Sequence, residues 1–167
     1  MYLAWSFSYR ALPEGLLYGK FIVSQVQVVT QELFSTFSRI LTYNLLLACI
    51  PLFLANLVKV KGLPLGYLLV PYHWIIYGTL LGTNSFAFPS PSRLVPTFTT
   101  LFRGVGVYEI TAYTLIVAAT YGLTVYTRKE KFNFRINGLL KADKIILIFS
   151  LVLLVVSNFF EAWQIVG

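Results

Sequence analysis

A chain of 167 residues that is 57% apolar and only 11% charged holds too little charge for an ordinary soluble domain, which carries about 25%. The formal charge is +7, yet the basic residues cluster beside apolar stretches, so anionic lipid and membrane topology explain them better than nucleic acid does. One cysteine, Cys49, excludes an intrachain disulfide and a thiolate metal site.

The fold class expected is all-α, a polytopic membrane helical bundle of about four transmembrane helices with an N-terminal amphipathic helix. Residues 1–39 form the N-terminal interfacial segment and residues 40–167 the transmembrane domain. The N-terminus does not read as a signal peptide, because no basic region precedes an apolar run. Trp5, Phe7 and Tyr9 resemble interfacial aromatics, and Pro13, Glu14 and Gly15 break the chain. From Lys20 the pattern is helical but interrupted by Gln25, Gln27, Gln31 and Glu32. That suits a helix lying on the membrane better than one crossing it, with a protein-covered first span as the other possibility.

The first expected span, residues 40–58, carries no charge and holds Pro51, which predicts a kink. Lys59, Lys61 and Gly62 predict a tight hairpin. The second span, residues 64–82, contains Pro71 and His73. Residues 83–103 form a loop with Pro89, Pro91 and Pro96, whose phenylalanines place it at the interface. The third span covers residues 104–126. The loop at residues 127–144 concentrates Arg128, Lys129, Lys131, Arg135, Lys141 and Lys144, and the fourth span covers residues 145–163. Lys and Arg number eight on the side of the hairpin and the 127–144 loop and five on the other. The excess predicts a multi-pass protein of the cell membrane with that loop cytoplasmic and both termini outside.

Gly78 and Gly82 on the second span, and Ala118 and Gly122 on the third, are small residues four apart. Such pairs let helix backbones approach closely in lipid, within one chain or between copies of it. Glu109 is the most unusual residue, a carboxyl inside an otherwise uncharged span. Antiparallel spans bring Arg39, Asn44, Asn84, Arg103, Asn158 and Glu161 to the same outer end. The cluster reads either as a structural pair of Glu109 with Arg39 or Arg103, or as a polar pocket for an ion or proton. His73 is a lone histidine with no second metal ligand nearby, so packing is its expected role, with a haem contact as the other reading. No nucleophile motif, phosphate loop or metal spacing occurs. A non-enzymatic chain without a cofactor follows.

Arg103-Gly104-Val105-Gly106-Val107-Tyr108-Glu109-Ile110-Thr111-Ala112, followed by Ala118-Ala119 and Gly122-Leu123, resembles the stage II sporulation protein M family. Asn44 and Ala48 are similar to its Asn-containing first core helix. Gly62, Gly66 and Tyr77-Gly78 with Gly82 are similar to its glycine-marked hairpin and following span. The resemblance covers roughly residues 35–125. Arg103 stands where the family has His, Tyr77 where it has Asn, and Ile110-Thr111 where it has Leu-Pro. The resemblance implies a membrane scaffold or partner protein rather than an activity. The function expected is a non-enzymatic subunit or scaffold of a larger membrane assembly, with other integral membrane subunits and lipids as partners and a homo-oligomer possible. A small transporter or channel subunit with Glu109 in its path, and an accessory subunit of a membrane redox complex, are the alternatives.

Overall fold

The computed structural model describes residues 1–18, 32–86, 92–123, 126–127 and 139–167. Helix predominates among the described residues, and strand among them is confined to three short segments. The chain is therefore mostly helical, as an all-α protein should be. It divides into two compact units, Met1–Gln31 with Tyr72–Val107, and Glu32–Pro71 with Tyr108–Gly167.

In the first unit, α1 (Tyr2–Ala11) lies against the Tyr72–Thr83 part of α4 (Gly66–Thr83). The sequence reading put Trp5, Phe7 and Tyr9 at the interface. Phe7 is 68% exposed, but Trp5 is fully buried and belongs to a packed helix pair. Glycine makes that pair possible. A Cβ on Gly78 would lie 2.5 Å from the Met1 carbonyl oxygen and 3.1 Å from the Trp5 nitrogen. One on Gly82 would run into Ser8 Oγ and stand 2.7 Å from both the Trp5 carbonyl oxygen and the Tyr9 nitrogen. The two glycines are thus an intrachain crossing, with Ser8 Oγ donating across it to the Gly78 carbonyl at 3.4 Å.

The C-terminal ends of α1 and α4 are closed by one side chain that the sequence reading passed over. Arg93 Nε donates to the Gly82 carbonyl at 3.0 Å, and its Nη2 donates to the carbonyls of Ser8, Tyr9 and Leu12 at 3.2, 2.8 and 3.1 Å. Its guanidinium also lies 4.7 Å from the centre of the Tyr9 ring. Helix C-termini leave carbonyls without donors and carry partial negative charge, and one planar cation answers both ends. Asn84, in the left-handed region at φ 51°, follows α4 and donates to Glu14 Oε1 at 2.7 Å. Gly15 N donates to the Thr83 carbonyl at 2.7 Å. The loop read between residues 83 and 103 includes a short helix, α5 (Phe98–Arg103), started by Thr97, whose side chain accepts from Thr100 N.

In the second unit, α2 (Leu33–Asn44), a π-helical turn (Leu45–Cys49) and α3 (Ile50–Asn56) form one continuous helix. It starts at Leu33 rather than at residue 40, so the last residues assigned to the N-terminal segment belong to it. Most of the amphipathic helix read from Lys20 lies outside the described residues. Pro51 supplies no N–H and its ring crowds the preceding turn. The helix widens there, with Ile50 N donating to the Leu45 carbonyl. Beyond it, β1 (Val58–Val60) and β2 (Leu63–Pro64) pair antiparallel, Val60 opposite Leu63. The two turn residues between them are Lys61 at φ 53° and Gly62 at φ 86°, the left-handed pair that a two-residue hairpin turn demands. β3 (Tyr126–Thr127) adds to β1 in parallel, in the strand order β2-β1-β3.

α6 (Gly106–Ala119) has 14 residues, about 21 Å of helix, shorter than the expected 104–126 span. α7 (Lys141–Val166) begins four residues before residue 145, with Asp143 Oδ2 accepting from Leu140 N at 3.3 Å. The rest of the basic loop, residues 128–138, lies outside the described residues. Among the described residues, two helices are long and apolar enough to cross a membrane, Leu33–Asn56 and Lys141–Val166, where the sequence leads one to expect about four. α4 has 18 residues and no charge, but its tyrosines, tryptophan and histidine make it less apolar, and α6 is short.

Replacing Gly82 by Ala is expected to lower stability by about 1–3 kcal/mol through overpacking against α1 backbone. Gly122→Ala, with nothing within 4 Å of its Cβ position, should stay within about 0.5 kcal/mol. Thermal unfolding of the purified variants decides, and equal behaviour would remove the crossing. Arg93→Ala should cost about 1.5–3 kcal/mol by leaving carbonyls without a charged donor. Arg93→Lys should restore only part of this, since one ammonium cannot span both helix ends. Full rescue by Lys would mean that charge alone matters there.

Candidate polar site

The second unit gathers four of the residues read as a polar cluster. α7 turns Ser150, Leu154, Ser157, Asn158 and Ala162 inward, a spacing that keeps one face of the helix toward its neighbours. α2 packs along α7. Asn44, the last residue of α2, projects from just before the π turn. Its Nδ2 donates to Glu109 Oε1 on α6 at 3.0 Å and to Asn158 Oδ1 on α7 at 2.8 Å. Glu161 follows Asn158 by one turn on α7, and its carboxyl is a neighbour of Glu109. Glu109 is 7% exposed and Asn158 fully buried.

The expected ion pair takes a different form. Glu109 faces Asn44 and Glu161, and among the described residues no base forms an ion pair with it. Arg39 is half-buried five residues before Asn44 on α2. Arg103 is exposed at the end of α5 and belongs to the first unit, as does Asn84. A basic residue near Glu109 in sequence was therefore a poor guide. Helical phase decides the partner, and Glu161 shares the inner face of α7 with Asn158. Cys49 is buried and free on the π turn, on the same helix as Asn44.

A second polar tie lies nearer the hairpin. Asn56, closing α3, donates from Nδ2 to the Val117 carbonyl at 2.9 Å and to Thr120 Oγ1 at 2.8 Å. Gly66 passes so close that a Cβ would lie 2.7 Å from Asn56 Oδ1. This residue was not picked out from the sequence, although an asparagine ending an apolar span is a visible signal. The small pair on α6 behaves unlike that on α4. Ala118 is exposed and lines an apolar groove of about 240 Å³ with Tyr67, Val70, Pro71, Thr114 and Val117. Gly122 lies beyond the end of α6 in open space, because the chain leaves the helix before reaching it. His73, in the first unit, is half-buried with its ring edge-on to Tyr72 at 6.0 Å. No group of three or more His, Cys, Asp or Glu that could hold a metal occurs among the described residues.

No family model matches the chain, and no curated protein or solved structure matches it.

Asn44→Leu is expected to lower stability by about 1–3 kcal/mol, because Glu109 Oε1 and Asn158 Oδ1 lose their shared donor while remaining buried. Tyr43→Leu, at an exposed neighbouring position, is the control. Equal melting temperatures for the two variants would show that the amide contributes nothing.

Proposed function

We propose that this chain is a multi-pass integral membrane protein, without catalytic chemistry of its own, that serves as a subunit or scaffold of a larger membrane assembly. The observation that carries the reading is the outer surface of the two long helices. Ile148, Phe149, Val152, Val156, Phe160 and Trp163 are exposed on α7, and Leu46, Leu47, Ile50 and Leu54 on the first long helix. Over the most apolar windows of these helices only 28% and 11% of residues are buried. Soluble proteins rarely leave apolar patches of this extent in water, whereas hydrocarbon and apolar partner helices both accept them. Polar side chains on the same helices turn inward to one another, as the absence of water at membrane depth demands.

The resemblance to the stage II sporulation protein M family, which rests on the residues quoted for it, supports a scaffold over an enzyme. The lysine and arginine excess supports a cytoplasmic 127–144 loop with both termini outside. A second reading, a transporter or channel subunit, is favoured by one specific observation. Glu109 meets a second carboxyl rather than a neutralising base, and intramembrane carboxyls of that kind mark ion and proton routes.

Tagged chain purified from its native membrane is expected to require detergent for release and to bring other integral membrane chains with it. Release by alkaline wash alone would defeat the membrane reading. A homo-oligomer that conducts ions in vesicles would replace the scaffold with the transport reading. In a Cys49→Ala background, Asn137→Cys should be protected from an impermeant thiol reagent in intact cells. Strong labelling there would reverse the orientation.

A further inference from the structure

Among the described residues, the cluster around Glu109 holds two acids and two amides and no basic ion-pair partner. Asn44 ties Glu109 on α6 to Asn158 on α7, and Glu161 stands one turn beyond Asn158 on the same helix, so the two carboxyls share one side of the site. Two ionised carboxylates offer only acceptors, so a hydrogen bond between them needs a proton on one. Two negative charges side by side also repel strongly wherever water is excluded. The titratable groups facing Glu109 are Glu161 from α7 and the Cys49 thiol from the π turn. α2 presents the neutral Asn44. Among the described residues neither carboxyl has a basic ion-pair partner.

An independent observation points to a further ligand in the same place. Asn158 is fully buried and accepts from Asn44 through Oδ1, yet its Nδ2 has no acceptor. A buried amide donor left unpaired is costly. A water molecule is the smallest group that supplies the missing acceptor.

We propose that Glu109 and Glu161 hold one exchangeable proton between them, and that a water molecule on Asn158 Nδ2 is its route in and out. The step is a proton transfer with no electron passing. The O–H bond of the protonated carboxyl breaks, the water oxygen takes the proton, and two carboxylates remain; the reverse step restores the carboxyl O–H bond. With the proton in place, the hydrogen bond ties α6 to α7. Without it, two like charges separate them, so occupancy by the proton is coupled to the contact between these helices. The inference rests on the site of the transport reading and deepens it by naming the ligand as a proton.

The test is infrared difference spectroscopy of the full chain in lipid nanodiscs across pH steps, following the C=O stretch of a protonated carboxyl. Glutamate labelled at its carboxyl carbon assigns the band. Expected is one label-sensitive band that changes with pH. It should be lost in Glu109→Gln and in Glu161→Gln and kept in Glu14→Gln, whose carboxyl lies in the first unit. Asn158→Leu should slow its response to the pH step. Absence of the band in the unsubstituted protein overturns the proposal even if a Gln variant fails to fold, and so does its persistence in both folded Gln variants. Ion flux in vesicles is a separate measurement, so failure of the transport reading and failure of the proton site can be told apart.

Discussion

A polar group on a helix with an apolar exterior cannot hand its hydrogen bonds to water, so it must find its partner inside the protein. That constraint orders the second unit. The two long helices expose Leu, Ile, Val and Phe on their outer faces, while Asn44, Asn158 and Glu161 on them and Glu109 on the shorter α6 gather inside. Asn56 does the same with the Val117 carbonyl and Thr120. In the lipid setting proposed above, apolar packing between helices gains little, because lipid is equally apolar. Two sets of amide contacts, one at the middle of the first long helix and one at its C-terminal end, therefore fix which faces meet and in what register.

The π turn is what lets one of those sets form. Pro51 disturbs the hydrogen bonding of the turn before it, and the chain answers with a wide turn over Leu45–Cys49. A widened turn shifts the phase of everything before it relative to everything after it. Asn44, immediately ahead of the turn, and Asn56, well past it, both face α6, although they lie twelve residues apart. At about 100° per residue, a regular helix would separate their directions by roughly a third of a turn. The extra residue in the π turn takes up most of that difference. The proline read from the sequence as a kink is thus a phase corrector for the two asparagines.

Much of this was legible because local chemistry forces it. The uncharged runs at residues 40–58 and 145–163 fall in the two long apolar helices, Lys61-Gly62 marks the hairpin turn, and Gly78 with Gly82 marks a close helix crossing. Span ends were less legible. Leu33 starts a helix that the charge of Arg39 seemed to interrupt, since a long arginine side chain can lie along an apolar helix and extend outward. α6 ends at Ala119, β3 pairs with β1, and no feature of Ala118 or Gly122 announces either. The glycine pattern on α6 resembled that on α4, but a small residue signals contact only where another backbone arrives.

The partner of Glu109 was the hardest part to read, and the reason is general. A sequence gives the depth of a residue along its helix but only weakly its azimuth, because azimuth drifts with every π turn and proline. Depth alone offers Glu109 several partners, among them two arginines and one acid. Opposite charge made the arginines the obvious choice. An arginine near a helix end gains more by extending to solvent or headgroups than by entering an apolar interior, where desolvating it costs several kcal/mol. A carboxyl has a cheaper course, because it becomes neutral by taking up one proton, whereas a guanidinium stays charged. At the inner face of α7, where Ser157, Asn158 and Ala162 are turned inward, two acids and two amides gather, and the proposed proton together with an acceptor for Asn158 Nδ2 would complete their hydrogen bonds. The arrangement follows from the difference between ions that can be discharged and ions that cannot.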